Sequence, residues 1–131
     1  MKHLAVAAMA VLLAWTTGHG VAADFDGSKL LICANMEAAD CSAGQACLKG
    51  RPEDYDAPAF IRIDFANKSI VGPKRTTPIV SLEKSTDQLL LQGTELGYAW
   101  SLVLDTNDGK IGSTLVNRDG VYVLFGACTP L

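Results

Sequence analysis

The sequence predicts a small all-β domain: an antiparallel meander of about eight strands that closes into a small barrel, or alternatively folds as a two-sheet sandwich. Apolar and polar residues alternate with a period of two over most of the chain after residue 59. Short motifs rich in Asn, Asp and Gly separate these stretches, as turns do in antiparallel sheets. Eight up-and-down strands favour a barrel, because closure removes exposed sheet edges.

The first 23 residues are typical of a secretory signal peptide. Lys2 supplies a positive start, residues 4–15 an apolar core, and Val21, Ala22 and Ala23 a small-residue cleavage site. Removing 23 of the 131 residues leaves 108, enough for one domain with one core, and takes away both histidines. We therefore expect an exported protein, periplasmic or else secreted. No membrane anchor is expected after cleavage, because no later segment is long enough to span a bilayer as an apolar helix.

The N-terminal third of the mature chain is predicted to be less regular than the rest. Residues 29–34 read as the first strand. Residues 35–47 contain cysteines, alanines and small polar residues, which favours a short loop with one or two helical turns before Gly44 interrupts it. Residues 51–58 form an acidic loop flanked by prolines.

Seven strands are predicted from residue 59 onward. In residues 60–65 apolar side chains alternate with an arginine and an aspartate, which predicts a half-buried strand. The chain reverses at residues 67–68, and the next strand ends before Pro73, because proline cannot donate to a sheet ladder. Asp-Gly pairs predict the last two turns. The strands after the first are predicted over residues 69–71, 78–83, 89–93, 98–104, 111–115 and 121–125.

The charge of the mature chain excludes some partners. Loss of Lys2 leaves 10 Lys and Arg against 14 Asp and Glu, a net charge of −4. Nucleic acids and anionic lipids both favour a basic face, so neither is an expected partner. The partner is left as an unknown small molecule or protein, and no cofactor is implied.

Four cysteines, Cys33, Cys41, Cys47 and Cys128, predict two disulfides in an exported domain of this size. Closing a meander brings its first and last strands together, which favours Cys33–Cys128 and leaves Cys41–Cys47. The pairing of Cys33 with Cys47 and of Cys41 with Cys128 stays open as an alternative. A metal site is not expected, because the spacing matches no zinc motif and the mature chain has no histidine.

Two charged loops are candidate interaction surfaces. Glu53, Asp54 and Asp56 form an acidic cluster that suits a cation or a basic partner, or is simply a solvated turn. Lys74 and Arg75 suit an anion, or are a charged connection between hairpins.

Tyr98 and Trp100 share one face of a predicted strand with Leu102 and Leu104. Such an aromatic pair can line a ligand cavity or a sugar-stacking surface, and it can equally belong to the core.

The sequence predicts no catalytic residue. Without histidine, no Ser-His-Asp or Cys-His pair exists to activate a nucleophile. Two carboxylates suffice for glycoside hydrolysis. The candidates, Asp64, Glu83, Glu95 and Asp105, fall where surface charges are expected.

Several segments together resemble a set of small exported proteobacterial proteins. The resemblance is carried by residues 25–29, 31–33 and 60–65, by Cys41 with Cys47, and by residues 125–128. It implies export and disulfides, and it transfers no catalytic or binding residue. A more distant similarity is to exported inhibitors of C-type lysozyme, which are also small disulfide-bonded barrels. Their inhibitory loop has no match here.

These observations favour a non-enzymatic exported module that binds an unknown ligand or partner. Two other hypotheses stay open: an inhibitor of a lysozyme-like hydrolase, which would use the acidic loop on a basic target, and a carboxylate-dependent enzyme acting on glycans.

Overall fold

The segments in which apolar and polar residues alternate form antiparallel β-strands. A computed structural model, which describes residues 24–131, contains ten of them. The predicted signal peptide, residues 1–23, lies outside the described residues. A short 3₁₀-helix spans Pro52–Tyr55. The strands are β1 (Leu31–Cys41), β2 (Leu48–Gly50), β3 (Phe60–Asp64), β4 (Ser69–Val71), β5 (Thr76–Pro78), β6 (Ser81–Lys84), β7 (Gln88–Glu95), β8 (Tyr98–Asp105), β9 (Lys110–Val116) and β10 (Val121–Pro130).

All ten strands belong to one curled sheet, so the predicted all-β antiparallel meander is confirmed and the two-sheet sandwich is wrong. The order across the sheet is β5-β4-β3-β1-β10-β9-β8-β7-β6, with β2 paired to β1. The first and last long strands, β1 and β10, pair with each other as the closure argument predicts. The two end strands, β5 and β6, are consecutive in the chain, and the curl brings the two ends of the sheet towards each other.

Ile79 and Val80 connect these two end strands. The backbone N–H of Ile79 donates to the carbonyl oxygen of Lys68, directly before β4, and that of Val80 donates to the carbonyl oxygen of Gln92 on β7. The two acceptors thus lie on the two sides of the gap between β5 and β6. The prediction of one continuous strand over residues 78–83 is therefore wrong. The chain breaks into β5 and β6 here, which gives eight strands after residue 59 instead of seven. Pro78, at the end of β5, has no N–H with which to continue a ladder.

The helical turns predicted within residues 35–47 are also wrong. β1 continues to Cys41, much further than the predicted end at residue 34, and pairs with β10, β2 and β3. Backbone hydrogen bonds to these neighbours outweigh the weak strand preference of alanine and asparagine. The single short helix lies instead inside the predicted acidic loop, at Pro52–Tyr55.

A bulge in β1 decides which of its side chains face the interior. The register with β10 shifts between Asn35 and Glu37, so Met36 is left without a partner position. Leu31, Cys33 and Asn35 face inward before the bulge, and Ala38 faces inward after it. The bulge therefore turns Ala38 inward in place of Glu37, and it leaves the polar side chain of Asn35 on the inner face next to it.

Aliphatic side chains fill one half of the curled sheet. The fully buried residues are Leu31, Cys33, Ile63, Leu89, Leu91 and Leu104. Phe25 and Phe65 pack against this cluster at the end of the molecule where the described chain begins. This half is a packed core, and the open space lies towards the other end.

Both predicted disulfides are present. Cys33 bonds to Cys128 at directly paired positions of β1 and β10. Cys41 bonds to Cys47 across the loop that joins β1 to β2. Two disulfides are compatible with an oxidising compartment.

Candidate functional site

A cavity of about 770 Å³ opens at the end of the sheet away from the aliphatic core. Three segments surround its opening: the loop containing the 3₁₀-helix, the loop over residues 72–75, and the turn between β7 and β8. We refer to this space as the Trp100 cavity, after the largest side chain that lines it.

The wall of the Trp100 cavity is mainly apolar. Period-two alternation turns one side of each strand inward, and at this end the inward positions hold aliphatic residues. They are Ile61, Ile70, Leu102, Leu115 and Leu124. The arrangement favours a ligand with a large apolar surface.

Trp100 is held against a glycine of the neighbouring strand. Its side chain is only 7% exposed, and β8 pairs Trp100 directly with Gly93 of β7. A Cβ at Gly93 would collide with the indole ring and would lie 2.7 Å from the carbonyl oxygen of Pro78. The indole Nε1 is buried and has no hydrogen-bond partner among the described residues.

Asn35 fixes the loop on the opposite side of the cavity. Its backbone N–H donates to Ala59 O at 2.8 Å, and its side-chain Nδ2 donates to Pro58 O at 2.8 Å. Because Nδ2 must face a carbonyl oxygen, Oδ1 is an acceptor whose orientation is fixed. This oxygen is buried and has no donor among the described residues. Asn35 itself is 8% exposed.

All three tyrosines of the chain stand around the cavity. The ring of Tyr122 lies between the other two, with centroid distances of 6.0 Å to Tyr55 and 6.1 Å to Tyr98. The Tyr55 hydroxyl donates to Leu48 O at 2.7 Å. The nearby Asp40 carboxylate, with burial and Tyr98 adding to it, raises the pKa of Tyr122. The phenol of Tyr122, at the centre of the cluster, therefore stays neutral over the ordinary pH range.

Charged side chains at the rim are paired with one another. Lys74 Nζ lies 3.4 Å from Asp56 Oδ1, and Arg75 Nε lies 3.2 Å from Glu95 Oε1. The first pair is exposed and the second is partly exposed, so each stabilises the fold only weakly. They do connect the 72–75 loop to its neighbours on both sides of the opening.

The structure brings together six of the seven residues proposed as interaction surfaces. Glu53, Asp56, Lys74, Arg75, Tyr98 and Trp100 all line the Trp100 cavity. Asp54 does not: its carboxylate accepts a hydrogen bond from the backbone N–H of Arg51 at 2.9 Å and pairs with the guanidinium of that residue. These contacts lower the pKa of Asp54 and close the 3₁₀-helix N-terminus.

Sequence reasoning missed three residues of the site. Asn35 fell in the segment expected to be helical, and Tyr55 and Tyr122 were not singled out. For Tyr122 a signal existed, because alternation in the last strand places it on the face opposite Val121, Val123 and Phe125. The face that holds Tyr122 also holds Leu124, Gly126 and Cys128 and is the buried face of β10. Phe125, on the other face, is exposed.

The carboxylates considered for glycan chemistry are separated in the structure. The side chain and backbone N–H of Asn67 donate to Asp64 and lower the pKa of this carboxyl group, so it is poorly suited to act as a general acid. Asp105 accepts from the backbone N–H of Asn107 in a turn, and Glu83 is exposed on β6. Among these four, Glu95 alone lines the cavity, where it pairs with Arg75.

Residues 24–131 contain no group of three or more His, Cys, Asp or Glu side chains placed to hold a metal ion. Within the same residues, no helix has the length and apolar character needed to cross a membrane. Comparison of the chain with protein-family models, curated proteins and solved structures found no match.

Proposed function

We propose that this protein is an exported, non-enzymatic binding module that takes a small, mainly apolar molecule into the Trp100 cavity. The observation that carries the proposal is a cavity of about 770 Å³ with an aliphatic wall and an aromatic opening. Ligand sites in proteins typically occupy roughly 300–1,000 Å³ and combine an apolar lining with a few polar groups.

The same residues would serve as interior packing if the sheet closed tightly over them. Instead, alternate inward positions hold large side chains near the core and leave space near the opening. One inward position of the cavity wall carries a small residue, Ser113, which pairs with Leu102 of the neighbouring strand. An open space of this size with a largely apolar wall is suited to take in a small apolar ligand.

Binding without catalysis fits the chemistry of the cavity. General acid–base catalysis near neutral pH needs a group whose pKa lies close to 7. The cavity is lined by three tyrosines, an asparagine, a tryptophan and five charged side chains, four of which form two ion pairs. The acidic loop is also less suited to a basic hydrolase than its sequence suggested, because Asp54 and Asp56 already pair with Arg51 and Lys74.

The mature form offers a direct optical test. Trp15 belongs to the predicted signal peptide, so Trp100 is the single tryptophan of residues 24–131. A neutral dye such as N-phenylnaphthylamine, bound in the cavity, is expected to quench Trp100 by energy transfer and to brighten its own emission. A saturable signal with one site per chain is the expected result.

Two adjacent threonines provide a matched pair of variants. Thr77 lines the cavity from β5, whereas Thr76 lies on the opposite, exposed face of the same strand. Thr77→Phe is expected to fill the cavity and weaken dye binding at least about tenfold, an effect of roughly 1.4 kcal/mol. Thr76→Phe should leave binding unchanged. Absence of dye binding, or equal binding by both variants, would contradict the proposal.

The location is proposed on the signal-like N-terminal segment together with the two disulfides. Both disulfides would be kept oxidised in a periplasm or outside the cell. Fractionation of cells that express the full chain, with mass measurement of the recovered protein, tests this. Recovery in the cytoplasm with residues 1–23 retained would contradict it.

A further inference from the structure

We infer that the ligand of the Trp100 cavity is an amphiphilic cation, whose alkylated ammonium group lies against the three tyrosines while its apolar part fills the cavity. The inference deepens the proposed function and rests on it. Two features carry it: the tyrosine rings that line the cavity, and two carboxylates beside them that have no ion-pair partner within residues 24–131.

Tyr55, Tyr98 and Tyr122 provide the aromatic surface of the cavity. Each side chain lines the cavity and is only partly buried, so part of each ring remains accessible. The Tyr122 ring is tilted by 43° to Tyr55 and by 53° to Tyr98, so the rings are not stacked flat on one another. The face of an aromatic ring attracts cations within about 6 Å of its centroid, and alkylated ammonium ions are the ligands that groups of such rings typically bind.

The charges that line the cavity leave one carboxylate unpaired. Lys74 pairs with Asp56, and Arg75 pairs with Glu95. The fifth charged residue is Glu53, which is exposed and belongs to no ion pair of the described residues. It lies in the same 3₁₀-helix as Tyr55. The lining therefore has a net negative charge next to an aromatic ring.

A second uncompensated carboxylate, that of Asp40, lies on the other side of the tyrosine cluster. A small polar recess adjoins the cavity, with Tyr98 and Tyr122 as shared walls, and Asp40 lines this recess. Asp40 contributes most to the raised pKa of Tyr122, ahead of burial and the other two tyrosines. The electrostatic potential at the cluster is therefore negative, which adds to the attraction of the rings for a cation.

The same features disfavour other charged ligands. A metal ion prefers several oxygen ligands together, and the described part of the chain has no group of three or more His, Cys, Asp or Glu side chains that could hold one. An anion would lie near two uncompensated carboxylates, whereas both cations of the lining are already paired. An ammonium group attached to an apolar chain matches the rings, the charge and the aliphatic wall at once.

The test compares three molecules with the same ten-carbon chain against the mature protein by isothermal titration calorimetry. They are decyltrimethylammonium, decanol and decanoate. We expect the cation to bind about tenfold tighter than decanol, and decanoate to bind most weakly. Raising sodium chloride from about 0.01 M to about 1 M should reduce the preference for the cation, because salt screens the carboxylates.

Two glutamates provide matched variants that remove the same charge. Glu53 lines the cavity, whereas Glu83 is exposed on β6 and does not line it. Glu53→Gln should weaken binding of decyltrimethylammonium about threefold, and Glu83→Gln should leave it unchanged. Neither variant should alter binding of decanol.

Tyr122→Leu tests the aromatic contribution, because it removes the central ring and keeps an apolar side chain. Affinity for decyltrimethylammonium should fall about tenfold, while affinity for decanol should change by less than about threefold. If this variant does not fold, the glutamate pair and the ranking of the three molecules on the unmodified protein decide.

The outcomes separate this inference from the function on which it rests. Binding of decanol or decanoate as tight as that of decyltrimethylammonium would overturn the cationic ligand while leaving the binding function intact. Equal binding of the cation by Glu53→Gln and Glu83→Gln would also overturn it, as would failure of the cation to bind while N-phenylnaphthylamine binds. If neither the dye nor any of the three molecules binds, both proposals are wrong.

Discussion

Backbone strain at single residues is concentrated at the opening of the Trp100 cavity. Within residues 24–131, three residues other than glycine have a positive φ: Asp56, Lys68 and Leu96. Two of them, Asp56 and Leu96, line the cavity. Leu96 has φ 46° in the turn between β7 and β8, and its side chain is 70% exposed. An exposed leucine in the left-handed region costs about 1–2 kcal/mol and has no polar group to offset it. Such strain is common at functional sites.

Replacing Leu96 with asparagine should therefore stabilise the protein and weaken ligand binding. Asn-Gly is the preferred pair for a two-residue turn with two positive φ values, and Leu96 is followed by Gly97 with φ 82°. We expect the unfolding free energy to rise by about 0.5–1 kcal/mol, measured by urea denaturation. Affinity for N-phenylnaphthylamine should fall, because an apolar contact at the rim is lost. Leu82→Asn, at an exposed strand position, should not stabilise, and a similar gain there would contradict the strain argument.

Acid should destabilise the protein through carboxylates whose pKa values are lowered in the folded state. Hydrogen bonds from Asn67 hold the pKa of Asp64 below its ordinary value of 3.8. A lowered folded pKa means that the unfolded chain binds more protons, so this contribution is present above about pH 4 and is lost as the pH falls below it. The urea midpoint should thus drop between about pH 7 and pH 3. Asn67→Ala should show a smaller drop, and an unchanged pH profile would contradict the assignment.

At the scale of the elements, glycines on β10 and β9 differ sharply in the space around them. Gly126 faces inward at the level of the β1 bulge, and a Cβ there would collide with the carbonyl oxygen of Ala34. Gly112, on β9, has only the edge of Phe125 nearby, at an ordinary contact distance of 3.7 Å. The close approach of β10 to β1 at Asn35, directly before the bulge, thus depends on Gly126.

Gly126→Ala should destabilise the protein and disturb the cavity, whereas Gly112→Ala should be tolerated. A backbone clash cannot be relieved by a side-chain rotation, so we expect a loss of about 2 kcal/mol or more at Gly126. At Gly112 the change should be within about 0.5 kcal/mol, since glycine is itself unfavourable in a strand. Thermal unfolding of both variants, followed by Trp100 fluorescence, measures the difference. Equal effects would show that the bulge does not constrain β10.

How well an element could be predicted depends on how locally its structure is determined. In β3, charged residues alternate with isoleucines, and in β8, large aromatic or leucine side chains alternate with smaller residues; both strands lie where the sequence places them. In β1 the bulge at Met36 interrupts the alternation, and alanine and asparagine weaken it further. That strand is stabilised by pairing with β10, which lies about 90 residues later. No local pattern carries such information.

At the scale of the whole molecule, the curl of the sheet assembles the site from segments that are far apart in sequence. The acidic loop, Lys74 with Arg75, and the Tyr98–Trp100 stripe were each identified as a separate surface. Their meeting around one cavity could not be predicted, because it depends on how tightly the sheet curls. Asn35 lies on the inward face of β1 with Leu31 and Cys33, directly before the bulge. The chemical character of these side chains could thus be predicted from the sequence, whereas the cavity that brings them together could not.

The two disulfides should contribute unequally to stability, because they close loops of very different length. Cys33–Cys128 spans 95 residues and joins β1 to β10, whereas Cys41–Cys47 spans 6 residues. In the chain-entropy model the long bridge stabilises by about 4–5 kcal/mol and the short one by about 2 kcal/mol. Domains of this size have total stabilities of about 5–15 kcal/mol, so loss of the long bridge should leave a marginally folded protein.

Paired alanine variants test this difference with matched chemistry. Cys33→Ala with Cys128→Ala should lower the urea midpoint far more than Cys41→Ala with Cys47→Ala. Cys33 and Cys128 are also buried, at 0% and 8% exposure, so the first variant loses packing as well as the bridge. Reduction of the unmodified protein by dithiothreitol separates the two causes, because it opens both bridges and removes no side chain. If the reduced protein and the Cys41–Cys47 variant are equally stable, the long bridge contributes nothing through chain entropy. If the stability of the reduced protein instead equals that of the Cys33→Ala, Cys128→Ala variant or is lower, the Cys33–Cys128 disulfide is the main covalent contribution to the stability of the protein.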